Sequence, residues 1–227
     1  MLDPAVALTY AAAHTERIKL GTGVIILPQR NPAVLAKELA SVDVLSGGRL
    51  IFGIGIGYLE AEFDALGIPF DNKATRTVEY LQAIRSLWHE ESPAYDGRFV
   101  RFAGVQARPR PQQQPAVPIV FGGMSTPALR RAVRYAHGWY GFNLDPTQTA
   151  ECLGRLREVA TTCTRPADLG ELEISVTPPP SSDLPRDLVD GYVELGVDRL
   201  VPFYPAMSED EVLAFVARVA TDVISMP

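Results

Sequence analysis

The chain has 227 residues, of which 47% are apolar, 21% charged and 8% aromatic, a balance typical of a globular protein with a sizeable core. The formal net charge of −6 argues against nucleic acid as the main partner, because a phosphate backbone requires a concentrated basic surface. No apolar run approaches the roughly 20 residues of a membrane-spanning helix, and Asp3-Pro4 interrupts the N-terminus where a signal peptide would be apolar, so we expect a cytoplasmic protein without membrane contact.

The N-terminal part of the chain predicts a helix that leads into a buried strand. Residues 4–14 are rich in alanine, and the strand-like run over 18–27 follows directly. Its core, LGTGVIIL, is apolar on both faces, as is typical of a parallel strand covered on each side. Asn31-Pro32 then starts a second helix, because asparagine caps free N–H groups and proline suits the first helical position. Gly47-Gly48 supplies left-handed residues that end this helix.

The rest of the chain continues the alternation of strand and helix. We expect further strands over 50–56, 118–121, 138–142, 172–177 and 199–203, and helices over 75–90, 126–136, 147–162, 184–195 and 209–223. Each of the six strands is therefore followed by a helix. A β-hairpin about the Asp96-Gly97 turn, near residues 94–110, is predicted as an insertion before the third strand.

Such alternation permits an open doubly wound sheet or a (β/α) barrel, and the glycines after residue 50 favour the barrel. A dinucleotide-binding sheet requires the motif G-x-G-x-x-G. Here Gly53 and Gly55 match its first two glycines, but Tyr58 stands where the third glycine is required. The nicotinamide-binding sheet is therefore the weaker alternative. Alternate glycines favour space for a bulky planar ligand at a barrel mouth, although they are also typical of strands that pack closely against a neighbour.

The predicted strand ends carry glycines, aromatic rings and hydroxyls but no histidine, cysteine or paired carboxylates, which favours a large flat cofactor that brings its own reactivity. Their most specific motif is Gly122-Gly123-Met124-Ser125-Thr126-Pro127, which leaves a strand and enters a helix. Free N–H groups and the helix dipole attract an anion at such a position, so we interpret the motif as a phosphate anchor, with an ordinary capped helix start as the alternative. None of the three histidines has metal-ligand spacing, and no metal site is predicted.

Three segments carry a resemblance to a known family: LGTGV, NPAVLAKELASVDVLSGGRLIFGIGIGYLEAEFDALGIPF and PIVFGGMSTPALRRAVRYAHGWY. With these segments the chain resembles the luciferase-like monooxygenase superfamily, and more narrowly its branch that uses the deazaflavin coenzyme F420. The resemblance implies a TIM-type barrel, usually dimeric, that holds F420 or FMN at the carboxyl ends of its strands. It also implies hydride transfer between the cofactor ring and a small organic substrate.

The resemblance assigns roles to individual residues. Gly23-Val24 matches a non-proline cis peptide that supports the cofactor ring in F420-using relatives. Tyr58 matches a group that contacts the ring or acts as acid or base, and it is the one catalytic candidate. The cofactor-binding set is completed by Gly122, Gly123, Ser125 and Thr126 at the phosphate anchor. Asn143, in the loop after the strand over 138–142, is a candidate substrate contact.

The resemblance also indicates that the barrel is incomplete. Relatives have two strands before the Ala-rich helix, so we expect an α/β fold with about six of eight βα units, the first two strands missing, as a single domain over 1–227. The leading hypothesis is an F420-dependent oxidoreductase, with FMN as the alternative cofactor and monooxygenation as a possible outcome. The rival hypothesis is a non-catalytic truncated barrel that dimerises and binds cofactor weakly or not at all, since open strand edges favour association.

Overall fold

Parallel strands alternate with helices in the computed structural model, which describes residues 2–181, 183–204 and 208–224. The chain divides into two units, residues 1–119 and residues 120–227. Within each unit the strands that precede helices pair in parallel, as the sequence pattern predicts.

Unit 1 follows the predicted order of elements and adds one short helix after its second predicted strand. They are α1 (Pro4–Ala13), β1 (Leu20–Gly21), β2 (Ile25–Ile26), α2 (Pro32–Leu45), β3 (Leu50–Gly55), a short helix α3 (Glu60–Ala65) and α4 (Lys73–His89). Both β1 and β2 pair in parallel with β3, so the strand predicted over 18–27 is present with an interruption at 22–24. No second strand of the described residues pairs with β1 or β2, so this strand has one unpaired edge.

The predicted boundaries of α2 are confirmed by its caps. The Asn31 side chain accepts hydrogen bonds from the N–H groups of Ala33 at 3.0 Å and Val34 at 3.2 Å. At the other end Gly47 and Gly48 have φ values of +68° and +79°, a conformation that a side chain would oppose. The local sequence signals therefore fix both ends of this helix.

Two buried charged groups tie the connections of unit 1 to its helices. Asp43 of α2 accepts hydrogen bonds from the N–H groups of Gln112 at 2.7 Å and Gln113 at 3.0 Å, which holds the segment before residue 119. Arg49 donates to the backbone carbonyls of four residues: Ala12, Thr15, Ile18 and Ser46. The turn between α1 and β1 is thereby joined to the turn between α2 and β3.

An antiparallel hairpin lies within the range expected for the insertion. It consists of β4 (Tyr95–Asp96) and β5 (Arg101–Phe102), with Tyr95 opposite Phe102. The carboxylate of Glu79 on α4 accepts hydrogen bonds from the N–H groups of Phe99 and Val100 at the hairpin loop. The hairpin is therefore anchored to α4 through its loop.

Unit 2 repeats the strand and helix pattern. Its elements are β6 (Ile119–Gly122, starting at the boundary), α5 (Thr126–Tyr135), β7 (Gly138–Phe142), α6 (Pro146–Thr162), β8 (Glu173–Thr177), α7 (Arg186–Glu194), β9 (Arg199–Leu200) and α8 (Glu209–Val219), which continues as a π-helical turn over Ala220–Ile224. β7 pairs with β6 and β8, and β8 with β9. Trp139 and Tyr192 are fully buried in its core.

The last strand is shorter than the prediction of 199–203. The N–H of Val201 still donates to the carbonyl of Val176 at 2.8 Å, but Pro202 has no N–H with which to continue the ladder. In the described part of the chain β9 pairs with β8 alone.

Across the same residues, every helix is too short or too polar to span a membrane.

Candidate functional site

The first strand of unit 1 carries a one-residue bulge. Residues 20–21 pair with residues 50–51 of β3, whereas residues 25–26 pair with residues 54–55. Three residues (22–24) therefore lie opposite two (52–53), so the first strand has one residue more than β3 at this point. The bulge contains the Gly23-Val24 peptide bond, which is cis, as the resemblance implies.

Residues of this bulge occupy the space that side chains would take at two glycines of β3. A Cβ at Gly53 would lie 1.9 Å from the carbonyl oxygen of Thr22, and a Cβ at Gly55 would lie 2.7 Å from Cγ2 of Val24. The interpretation that these glycines clear a face for a planar ligand is therefore wrong. The alternative interpretation, close packing against a neighbouring strand, is confirmed, because the extra residue presses the backbone at Thr22 onto β3.

A cavity of about 880 Å³ borders the bulge within unit 1. Its walls come from the N-terminal end of α1, residues 21–26, Gln29, Arg30 and one side of α3. Gly23 lies on this wall, and its N–H and C=O form no hydrogen bond with the described residues. The volume lies within the range of small-molecule sites, and the free peptide group is a donor and acceptor for a ligand.

The polar rim of this cavity is internally compensated. Arg30 Nη2 lies 2.9 Å from Asp3 Oδ2, and Gln29 donates to Glu62 Oε2 at 3.2 Å. Burial raises the pKa of Asp3, but the hydrogen bonds from Arg30 and from the first N–H groups of α1 outweigh it and hold this pKa below its usual value. The Asp3 carboxylate therefore caps α1 and pairs with Arg30, and its lowered pKa makes it a poor proton donor for catalysis.

Tyr58 follows Gly57 at the carboxyl end of β3. Its side chain is 83% exposed and has no hydrogen-bond partner among the described residues. The phenol is consequently free to reorient, and nothing in unit 1 holds it in a catalytic geometry. Its predicted role as acid, base or ring contact stays a prediction.

In unit 2 the predicted phosphate anchor forms the start of α5. Ser125 is the N-cap, and its hydroxyl accepts a hydrogen bond from the N–H of Ala128 at 3.4 Å. The N–H groups of Met124, Ser125 and Thr126 form no hydrogen bond with the described residues. Gly123 has a φ of +112°, and a Cβ there would lie 3.0 Å from that of Ala128. The predicted residues therefore come together as a set of free donors next to a position that only glycine suits.

A cation that the sequence reasoning missed lies beside these donors. Arg155 of α6 donates from Nη2 to the Thr126 hydroxyl at 3.3 Å. The residue is partly exposed, and this is its one hydrogen bond among the described residues, so its remaining N–H groups are available to a ligand. No local signal identifies this residue, because its position depends on the packing of α6 against α5.

Asn143 is placed by the turn after β7. It has a φ of +59°, a left-handed conformation that asparagine tolerates, and its side chain is exposed. Close by in sequence, Tyr140 shares a hydrogen bond of 2.6 Å with the Thr177 hydroxyl across β7 and β8. The backbone conformation alone accounts for an asparagine here, and its predicted substrate contact stays a prediction.

Over the residues that the structure describes, no group of three histidine, cysteine or acidic side chains could hold a metal ion.

Comparison with known proteins identifies the family. The model of the luciferase-like monooxygenases matches residues 1–214. The chain belongs to the luciferase-like monooxygenase family. A protein of Mycobacterium tuberculosis described only as uncharacterized is 34% identical over 220 residues, covering 96% of this chain and 75% of its own length. The FMNH2-dependent dimethylsulfone monooxygenase of Pseudomonas putida is 32% identical over 134 residues, covering 58% of this chain and 36% of its own length.

A solved structure confirms the fold class. The coenzyme F420 dependent tetrahydromethanopterin reductase of Methanopyrus kandleri superposes with a TM-score of 0.79 at 19% identity, covering 98% of this chain and 87% of that chain. The predicted α/β fold of the TIM-barrel type is thus correct. The prediction that the barrel is incomplete is also correct: the described residues form six strand and helix units, counting β1 and β2 as one strand.

Proposed function

We propose that this luciferase-like protein is an oxidoreductase that transfers hydride between bound coenzyme F420 and a small organic substrate, with reduced FMN and monooxygenation as the alternative. The observation that carries the proposal is the donor set at the start of α5. Three free N–H groups, a glycine whose missing side chain leaves the backbone accessible and the Arg155 guanidinium fit the phosphate that both cofactors contain. The family contains a reductase that uses F420 and a monooxygenase that uses FMNH2, so either cofactor is consistent with it.

The roles of the residues are proposed for each unit separately. In unit 2, Gly122 and Gly123 allow the phosphate to approach the backbone, while Ser125, Thr126 and Arg155 bind it. In unit 1, Gly23 and Val24 contact the ring from the cavity wall. When bound, F420 would supply hydride transfer, whereas reduced FMN would supply the two electrons for monooxygenation with dioxygen as co-substrate; the side chains bind and orient.

Two further roles complete the proposal. The Tyr58 phenol donates a hydrogen bond to the bound ring or substrate, because a phenol is a poor base near neutral pH. Asn143 contacts the substrate from the turn after β7. Both side chains are exposed and have room to reach a ligand.

Titration of the purified chain with F420 and with FMN, followed by fluorescence, tests the proposal. We expect saturable binding of at least one cofactor in the micromolar range or tighter. Riboflavin, which lacks the phosphate, is the matched control for FMN and should bind more weakly. No binding of F420 or FMN in this range would contradict the proposal.

A non-catalytic, dimeric truncated barrel that binds cofactor weakly or not at all is the second candidate function. The observation in its favour is Tyr58, the one catalytic candidate, which is 83% exposed and unconstrained. Oxidation of reduced F420 by this chain that depends on an added substrate would exclude it.

We also propose that the protein forms a homodimer through α1. Val6 and Tyr10 lie four residues apart on α1, so they share one face of the helix, and they are 65% and 70% exposed. Leu2, which precedes the helix, is 74% exposed and extends this apolar surface. Such a contiguous apolar stripe is typical of an interaction surface, and a second copy of the same stripe would cover it symmetrically.

A further inference from the structure

The bulge of unit 1 is closed by one side chain, that of Thr22. Thr22 is 8% exposed, and its hydroxyl donates to the carbonyl of Gly53 at 2.8 Å and accepts from the N–H of Gly53 at 2.8 Å. Its own N–H donates to the carbonyl of Ile51 at 3.1 Å. The hydroxyl therefore takes the place that a backbone peptide group of the first strand would otherwise have in the ladder.

This double contact requires a hydroxyl on a short side chain. A hydroxyl is a donor and an acceptor at one atom, whereas valine, which has nearly the same shape, is neither. The contact also requires Gly53, because a Cβ there would collide with the Thr22 carbonyl at 1.9 Å. Thr22 and Gly53 thus form one clamp, which we define by these two residues.

The clamp determines where the next two residues lie. Because Thr22 remains bonded to β3 through its side chain, Gly23 is the residue displaced from the ladder, with its N–H and C=O unpaired on the cavity wall. Val24 is fixed on the other side by its contact with Gly55, and β2 resumes regular pairing at Ile25.

We infer that Thr22 is a positioning residue for cofactor binding: its hydroxyl holds the peptide group of Gly23 and the side chain of Val24 in place against the cofactor ring. The inference rests on the proposed function, in which these two residues contact the ring. The Thr22 hydroxyl is bonded to Gly53 on β3, and its proposed effect on the ring therefore passes through Gly23 and Val24, although Thr22 also lies on the cavity wall.

Hydrogen exchange tests the clamp without any cofactor. Replacing Thr22 by valine removes the acceptor of the Gly53 N–H, so we expect that amide to exchange about tenfold faster or more, with Thr22→Ser close to the unmodified protein. Thr77→Val is the matched control, since Thr77 is also buried and its hydroxyl donates only within α4, to the Lys73 carbonyl at 2.7 Å. Unchanged exchange at Gly53 in Thr22→Val would overturn the inference.

Cofactor titration tests the positioning role. We expect Thr22→Val to weaken binding of F420 or FMN about tenfold and to shift the absorption band of the bound ring, while Thr22→Ser restores both and Thr77→Val changes neither. If Thr22→Val binds the cofactor as tightly as the unmodified protein does, with an unshifted absorption band, the inference is overturned although the proposed function stands. If Thr22→Val does not fold, Thr22→Cys replaces it, because a thiol is a weak donor and acceptor, and equal affinity of the cysteine and serine variants would overturn it. If the unmodified protein binds neither cofactor, the proposed function fails, and the exchange at Gly53 still decides whether the clamp exists.

Discussion

Arg49 is a buried guanidinium whose partners are backbone carbonyls. It donates to the carbonyls of Ala12 at 3.0 Å and Thr15 at 2.8 Å, and within the described chain no carboxylate lies at ion-pair distance from it. Arg165 has the same role in unit 2, where Nη1 donates to the carbonyls of Val133 and Ala136 at 2.9 Å each. In both units one arginine satisfies several carbonyls that end helices or enter strands.

The planar fork of Arg49 is the basis of a stability prediction. Lysine cannot reach the same set of carbonyls, so we expect Arg49→Lys to lower the free energy of unfolding by about 1–3 kcal/mol. The measurement is urea unfolding followed by tryptophan fluorescence. The exposed Arg17 provides the control, because Arg17→Lys should change this free energy by less than about 0.5 kcal/mol. Equal effects of the two substitutions would show that the carbonyl contacts do not stabilise unit 1.

At the scale of single elements, we predict that the affinity for the cofactor depends on the positive charge beside the start of α5. Arg155→Gln removes a positive charge beside the free N–H groups, so we expect the dissociation constants of F420 and FMN to rise about tenfold, or about 1.4 kcal/mol, with less effect at high salt. Riboflavin binding should not change.

Arg157, which is exposed on the same helix, supplies the matched control, and Arg157→Gln should leave all dissociation constants as they are. A similar loss of riboflavin affinity in Arg155→Gln would mean that Arg155 does not act on a phosphate.

The apolar stripe of α1 carries the prediction for self-association. A glutamate at Val6 would bury a charge in the proposed interface, so we expect Val6→Glu to convert the dimer into a monomer in light scattering after size-exclusion chromatography. Val193→Glu on α7 is the control, since Val193 is 63% exposed but lies outside the stripe. A dimer that persists in Val6→Glu would place the interface elsewhere.

The elements differ in how far the sequence could predict them. Asn31 and the glycines at 47 and 48 act on their own neighbours, so local reasoning located α2 correctly. The bulge at 22–24 escaped prediction, because register is a relation between two strands and only the pairing with β3 shows the extra residue. Arg155 escaped for the same reason, since its neighbour Thr126 is 29 residues away in sequence.

At the scale of the whole molecule, the sequence predicts one domain over residues 1–227. The two tryptophans of the chain allow a test, because Trp88 lies in unit 1 and Trp139 in unit 2. Each is buried and donates from its indole to a carbonyl of its own unit, Ala36 and Gly123 respectively, both at 2.9 Å. Each indole therefore reports the unfolding of its own unit.

We expect the variants Trp88→Phe and Trp139→Phe each to unfold with a fluorescence midpoint in urea that coincides with the circular dichroism midpoint of the same variant. Comparing two probes within one variant controls for the loss of stability that each substitution causes. Separate midpoints would show that the units unfold independently and would contradict the single-domain prediction.

The bulge has a consequence for the behaviour of the unpaired edge of the first strand. A long, regular edge presents an uninterrupted row of N–H and C=O groups to any extended chain that approaches it, which promotes aggregation. Here the extra residue divides the edge into two pieces of two residues each, and the charged residues Arg17 and Lys19 precede the first piece. A foreign strand would therefore find no continuous template, so this edge is poorly suited to seed cross-β assembly at high protein concentration.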